Sequence, residues 1–385
     1  AAPGIALPDL PLRRIGTGEL TGWRALPACD WAMGDADRLA YLIFTSGTSG
    51  RARAVMHAHR AVWARRMMWQ GWYGLTPDDR LMHAGAFNWT YTLGTGLMDP
   101  WAIGATALIP GAEVGAAQLP LLLKRFDATI FAAAPGVYRQ MLRAELPSLP
   151  RLRHGLSAGE KLPEATRAAW EAASGTPIFE ALGMSEVSTF ISASPTRPAP
   201  PGASGFVQEG RCVAVLGPDG VPVSRGEAGV LAVDARDPGL FLGYWGQPEE
   251  TAAKFAKGWF LTGDTVLMDD AGAVHYLGRD DDMMNAGGFR VSPLEVERAM
   301  DACPGIAESA AVEIPVNETT SVIGLFFVAR GPVPDEASLR AHAETHLARY
   351  KQPRLWIAVD ALPRSANNKI NRRALREGYR DGHQA

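Results

Sequence analysis

The chain has 385 residues, 47% hydrophobic and 21% charged, with 38 basic against 41 acidic side chains for a formal net charge of −3. That balance excludes a disordered chain. Without a basic run, it also argues against nucleic acid or an anionic membrane surface as the main partner. Three widely spaced cysteines, Cys29, Cys212 and Cys303, exclude a disulfide framework or a Cys-x-x-Cys metal site. No apolar run reaches the roughly 20 residues of a spanning helix, and AAPGIALPDLPLRR lacks a charged-then-apolar leader pattern. The expectation is a soluble, cytoplasmic protein with no membrane contact.

Residues 1–38 are rich in Pro and Gly and read as a connector. The apolar run Tyr41 to Phe44 predicts a strand, TSGTSG at 45–50 a small-residue loop, and Ala54 to Trp69 a long helix. From 97 to 240, runs such as ATALIP, ATIFAAAP, HGLSAG and TPIFEALG alternate with helical stretches through Leu123, Tyr138 and Trp170. Strand, helix, strand in succession predicts a parallel sheet flanked by helices, an α/β fold. From about 203 to 280 short β-type runs with PDG and GEAG turns predict a small, mostly antiparallel β-subdomain. GRDDDMMNAGG at 278–288 breaks the pattern. After it, a helix from Pro293, strands near 310–314, 321–329 and 355–359, and a helix at 335–349 predict a small α+β domain. The expected division is a large domain, 1–280, and a C-terminal domain, 281–385.

Four segments carry chemistry. The glycines of TSGTSG let backbone N–H groups approach an anion while Thr and Ser hydroxyls add donors, so the loop can cradle phosphates. A plain surface turn is the alternative. ALGMSEVS at 181–188 sets Glu186 just after a Gly-Met-Ser turn, where one hard oxygen ligand could hold Mg²⁺ against a triphosphate, or simply be solvated. GWFLTGD ends on Asp264, placed to accept hydrogen bonds from ribose hydroxyls, and Arg279 of the following GRDDD could meet a phosphate or the same ribose. In PRSANNKINRRALR, Lys369 is one of six lysines against thirty-two arginines. A point charge on a flexible stem suits a developing phosphate or carboxylate charge. His342 and His346 lie four apart but lack the HExxH order, and His57 and His59 fall on different faces of the expected helix, so neither pair reads as a metal site.

In order and spacing these segments resemble the adenylate-forming superfamily, which includes acyl-CoA synthetases, adenylation domains that load carrier proteins, and luciferases. FTSGTSGRAR at 44–53 resembles its phosphate loop, and Leu182-Gly183-Met184-Ser185-Glu186 its YGxTE motif. Gly243-Tyr244 through Pro248-Glu249 and Thr251, then Gly258 to Asp264, resemble its GYxxxPExT…GWxxTGD stretch. Gly278 through Arg290 to Glu297 and Asn368 through Arg376 resemble its two C-terminal elements.

The resemblance implies ATP, Mg²⁺ and coenzyme A as reactants and effector. Thr45, Ser46, Gly47, Thr48, Ser49, Gly50 and Arg53 would hold the phosphates, and Glu186 the Mg²⁺. Gly159, Glu160, Glu180, Ala181, Leu182, Gly183 and Ser185 would line the adenine site, with Asp264 and Arg279 on the ribose. Catalysis would fall to Lys369 with Glu186. Asp281 would be the hinge of a mobile C-terminal domain, and Gly288 with Phe289 would line a tunnel for coenzyme A. Trp89, Thr90 and Tyr91 would border the acyl pocket or, equally, pack the core.

Three positions depart from the family pattern. Arg53 replaces its phosphate-loop lysine, Leu182 replaces its adenine-stacking aromatic, and the loop opens already at Thr45, where the family carries a further domain-sized segment. Part of the usual N-terminal fold is therefore expected to be missing, leaving apolar sheet surface uncovered. LSAGEKLP and ALGMSEVSTFIS look most like the benzoate-type and medium-chain acyl-CoA ligases. The resulting expectation is an ATP-dependent carboxylic acid:CoA ligase for a compact aromatic or short- to medium-chain acid. An enzyme loading a carrier protein and a non-catalytic nucleotide-binding scaffold are the alternatives. A homodimer stays open.

Overall fold

The computed structural model describes residues 16–30, 32–46, 52–111, 113–280, 282–286, 289–316, 321–364 and 370–383. Strands β1 (Leu39–Ser46) and β2 (Ala52–Ala58) pair antiparallel, Ser46 opposite Ala52 and Thr45 opposite Arg53. The long helix expected from Ala54 is thus corrected: the chain stays extended to Ala58, and only His59–Ala64 is α-helical before a wider turn at Trp69–Tyr73. Pairing on both edges of β2, with β1 and later with Gly243-Tyr244, overrides the local helical pattern.

The next strands are β3 (Arg80–His83), β4 (Thr106–Leu108), β5 (Ile130–Ala133), β6 (His154–Ala158) and β7 (Ile178–Met184). They lie parallel in the order β4-β3-β5-β6-β7. β5 and β6 are buried along their whole length, as expected of parallel strands covered on both faces. One face packs Met68, Trp72, Tyr73, Tyr91 and Leu156; the other packs Leu123, Phe131, Tyr138 and Trp170. Trp170 comes from the helix Glu164–Ser174, which stops at Gly175 with φ +71°, a left-handed position suited to glycine.

Antiparallel strands follow: β8 (Ser188–Ser192), β9 (Gly205–Val207), β10 (Val213–Leu216), β11 (Ala228–Asp234), β12 (Gly243–Tyr244), β13 (Phe255–Ala256), β14 (Trp259–Met268) and β15 (Ala273–Arg279). All but β12 join the parallel strands through the β7–β8 pair, making one sheet of twelve strands among the described residues. The stretch expected to form a β-subdomain is therefore hydrogen-bonded into the same sheet. β12 instead completes a three-stranded sheet with β1 and β2.

The C-terminal part holds the hairpin β16 (Met284–Ala286) and β17 (Phe289–Val291), then β18 (Ile306–Pro315), β19 (Ser321–Ala329) and β20 (Leu355–Ala358). The helix Pro293–Asp301 is capped by Ser292, whose hydroxyl oxygen accepts from Glu295 N–H. Val296 and Met300 of that helix bury against Ile306, Leu325 and Phe327. The architecture is α/β, a large sheet domain followed by a small C-terminal one. Phe44 on β1, and Trp63 and Trp101 on short helices, stand 66%, 57% and 66% exposed. Among the described residues no helix is long and apolar enough to cross a membrane.

Candidate active site

The expected residues fall into separate groups, each built by a different local device. Glu186 sits in the three-residue turn between β7 and β8. Met184 pairs with Ser188 across the hairpin, and Val187 N–H donates to Met184 C=O at 3.3 Å. The hairpin closes tightly because Gly183 has no side chain: a Cβ there would lie 2.4 Å from the Ser188 carbonyl oxygen. Tyr244 O–H donates to Glu186 Oε1 at 2.7 Å. Burial first, and the Glu186 carboxylate second, hold the Tyr244 hydroxyl well above its ordinary pKa, so it remains a donor.

β12 and β2 are neighbours, which also brings Arg53 to this group. Its guanidinium lies 5.3 Å from the Tyr244 ring centre and 2.6 Å from Glu250 Oε2. Beneath the turn, His57 Nε2 meets the Ser185 carbonyl at 2.8 Å, and its ring stacks on Tyr41 at 4.8 Å. Burial, the largest influence, lowers the His57 pKa to about 4, so the ring is neutral and Nε2–H is the donor.

Asp264 and Arg279 are direct partners across the β14–β15 ladder, with Arg279 Nη1 3.3 Å from Asp264 Oδ1. Tyr276 O–H reaches the same oxygen at 3.4 Å, and Arg279 Nη1 also donates to Thr262 C=O at 3.0 Å. Asp264 is 6% exposed, a buried carboxylate with cationic and hydroxyl neighbours.

The adenine and acyl groups meet at Gly159, whose φ is +97°. A Cβ on it would come within 2.5 Å of the Trp89 ring, so Trp89 leans on the bare backbone there. Trp89 meets Tyr91 edge to face at 5.3 Å. Tyr91 is core: it is 6% exposed and donates its hydroxyl to Leu156 C=O at 3.1 Å. Thr90 is buried beside it, and Glu160 is partly exposed at the end of β6.

The carboxylate of Glu180 is held by Lys161 and Arg167, each 3.1 Å from Oε2, a pairing that no motif announces. On the same strand Ala181 and Leu182 pack into the two cores on either side of β7–β8.

Thr45 and Arg53 flank the small-residue loop. Gly47, Thr48, Ser49 and Gly50, and likewise Asp281, Gly288 and Lys369, lie outside the described residues. Ser46 and Phe289 enter only through strand pairing, with Ala52 and Ala286. His57, Arg65 and Asp99 lie in no motif and Ser188 only closes the ALGMSEVS segment, so the sequence reading missed their contacts around the turn.

No cluster of three or more His, Cys, Asp or Glu able to hold a metal exists among the described residues. A single hard carboxylate, Glu186, one of whose oxygens is already oriented by Tyr244, fits a Mg²⁺ that takes its other ligands from substrate phosphate and water. It would not fit a metal held by protein alone.

The twelve-stranded sheet thus carries both a carboxylate on a hairpin turn, oriented by Tyr244, and an Asp–Arg rung between two of its strands. Residues 16–245 match the AMP-binding enzyme family and 295–369 the AMP-binding enzyme C-terminal domain; the chain belongs to this family. It is 32% identical to the 3-hydroxybenzoate–CoA ligase of Aromatoleum sp. (strain CIB), over 89% of this chain and 67% of that protein. It superposes on ATP-bound MatB from Rhodopseudomonas palustris with a TM-score of 0.84 at 31% identity, covering 91% of this chain and 70% of that one. With an anthranilate CoA ligase, AuaEII, in complex with anthranoyl-AMP, the TM-score is 0.82 at 30% identity, over 93% and 70%. The chain spans between 60% and 67% of the length of such curated relatives.

Proposed function

We propose that this chain carries an ATP-dependent carboxylic acid:CoA ligase activity directed at a compact acid, aromatic or of short to medium chain. The observation that supports this most is the anchored Glu186 turn beside Arg53, in a chain of the AMP-binding family whose relatives include an aromatic acid–CoA ligase. The reading assigns residues 1–280 to the nucleotide-binding domain and 281–385 to a domain that swings about Asp281.

In the first step a carboxylate oxygen of the acid attacks the α-phosphorus of ATP. The new C–O–P linkage forms as the bond to pyrophosphate breaks. Arg53 and the loop Thr45 to Gly50 hold the departing phosphates, Asp264 with Arg279 fixes the ribose, and Lys369 bridges the acyl carboxylate and the α-phosphate. Mg²⁺, held by Glu186, would neutralise charge on the phosphates. In the second step the thiolate of coenzyme A, entering past Gly288 and Phe289, attacks the acyl carbonyl and expels AMP. Trp89, supported by Gly159, gives the acyl site a rigid aromatic wall that favours a flat or short acid. The reaction belongs in the cytoplasm on this reading, and a homodimer would appear as twice the chain mass in sedimentation.

Carboxylate-dependent exchange of labelled pyrophosphate into ATP, across benzoates, hydroxybenzoates and short to medium alkyl acids, tests the first step and identifies the acid together. Lys369→Ala should abolish exchange while sparing thioesterification of supplied acyl-adenylate. Equal loss of both half-reactions would sink the role of Lys369, and turnover with a carrier protein but not free coenzyme A would overturn the acceptor.

A further inference from the structure

Below the Glu186 turn lies a buried ionic clamp that joins three distant parts of the chain. Arg65 and Asp99 are each 2% exposed and pair through two parallel contacts, Nε to Oδ1 at 2.9 Å and Nη2 to Oδ2 at 2.6 Å. Tyr73 O–H donates to Asp99 Oδ2 at 2.8 Å and lies 2.8 Å from the Thr95 hydroxyl. Gly94 leaves room for the guanidinium: a Cβ there would sit 2.0 Å from Arg65 Cζ. The remaining nitrogen, Arg65 Nη1, points away from this pair and donates to Ser188 Oγ.

Ser188 is where the clamp acts on the site. Its φ is +73°, a left-handed conformation that a residue with a Cβ adopts only when its surroundings impose it. That conformation closes the three-residue turn, because Ser188 is the residue paired with Met184. If Ser188 relaxed to negative φ, the direction of Val187 and Glu186 would change with it.

We propose that Arg65 and Ser188 are positioning residues for Glu186. The guanidinium, fixed by Asp99, holds the Ser188 hydroxyl and so keeps the turn in the one conformation that aims the carboxylate. This rests on the reading of Glu186 as the holder of Mg²⁺. Neither residue touches substrate in this scheme. Their effect is confined to how well the metal–nucleotide complex is received.

The test is calorimetric titration with ATP, once with Mg²⁺ and once with EDTA, of the wild-type chain and of Ser188→Gly. Glycine keeps positive φ accessible but equally allows negative φ, so the variant frees the turn from its anchor on Arg65 without introducing a clash. Ser188→Gly should unfold at the same temperature and bind ATP in EDTA as the wild type does. Its Mg²⁺-dependent gain in affinity should fall by about tenfold, the usual scale for residues that orient a metal ligand. Hydrogen exchange at the Val187 amide should rise in parallel. A full Mg²⁺-dependent gain in Ser188→Gly, or equal losses with and without the metal, would overturn the proposal. A wild-type chain that itself gains nothing from Mg²⁺ would instead defeat Glu186 as the metal holder, and the positioning role with it.

Discussion

The Glu186 turn and the Asp264–Arg279 rung place acidic side chains by opposite means. Asp264 stands on a strand directly opposite Arg279, so β14–β15 pairing, with a register shift just beyond at Thr265 and Val266, sets the geometry of both side chains. Glu186 stands where the ladder stops, and a turn has no pairing partner to fix it. Buried polar groups take over there: His57 on the Ser185 carbonyl, Phe241 N–H on the Glu186 carbonyl at 2.8 Å, Tyr244 on the carboxylate and Arg65 on Ser188. A side chain on a ladder inherits its position from register. One on a tight turn needs its own scaffold, and that scaffold is drawn from remote parts of the chain.

The contrast is broken most violently at Asp99. Replacing it with alanine strands the Arg65 guanidinium in the core without a counter-charge, which costs about 3–5 kcal/mol. Urea unfolding of Asp99→Ala should show that loss. A change below about 1 kcal/mol would mean that water or another group takes over the charge, and that the clamp is weaker than its geometry suggests.

The turn should also be the more acid-sensitive region. In the unfolded chain His57 takes a proton near its ordinary 6.5, but folded it does so only near 4. The unfolded state therefore binds more protons between those values. The contribution of His57 to stability is fully present above pH 6.5 and is lost as the pH falls toward 4, by about 3 kcal/mol. His83 and His154, lowered by burial to about 3 and about 4, act in the same direction elsewhere in the large domain. Comparing the wild type with His57→Asn isolates one ring. The stability advantage of the wild type should shrink by that amount from pH 7 to pH 4, and parallel curves would show that the His57 environment is not closed to protons.

This division also explains which parts the sequence disclosed. Asp264, Arg279 and Glu186 sit in short motifs whose residue types and spacing could be singled out from sequence. The alternation of strands and helices from Thr106 to Met184 was plain because each element is apolar with its own period, whereas the strand Arg80–His83 was not foreseen. The clamp was not plain, since Arg65 and Ser188 lie 123 residues apart and nothing local links the two. The strand at Ala52–Ala58 read as helix because both of its pairing partners lie outside its own segment. The motif shows that a carboxylate stands at Glu180, but not that it faces Lys161 and Arg167. Tyr91 could be core or pocket from spacing alone, and only its bond to Leu156 decides for the core.

The smallest expected effect lies at the rung, where it can be made most specific. Asp264→Asn keeps the shape and one acceptor oxygen but gives up the charge that strengthens a hydrogen bond to a ribose hydroxyl. The loss should be roughly 1.4 kcal/mol, a tenfold rise in the KM for ATP. Stability should fall by only about 1 kcal/mol, since the partner Arg279 is about a third exposed and strand pairing still holds the position. ATP analogues lacking one ribose hydroxyl provide the control. In the wild type, the analogue missing the hydroxyl that Asp264 receives should lose the same tenfold. In Asp264→Asn it should lose little more, because the partner group is already weakened. Full additivity of the two losses would separate Asp264 from the ribose. The rung would then be a device of the sheet alone, and the distinction between a side chain placed by register and one placed by a scaffold would no longer coincide with two parts of one nucleotide site.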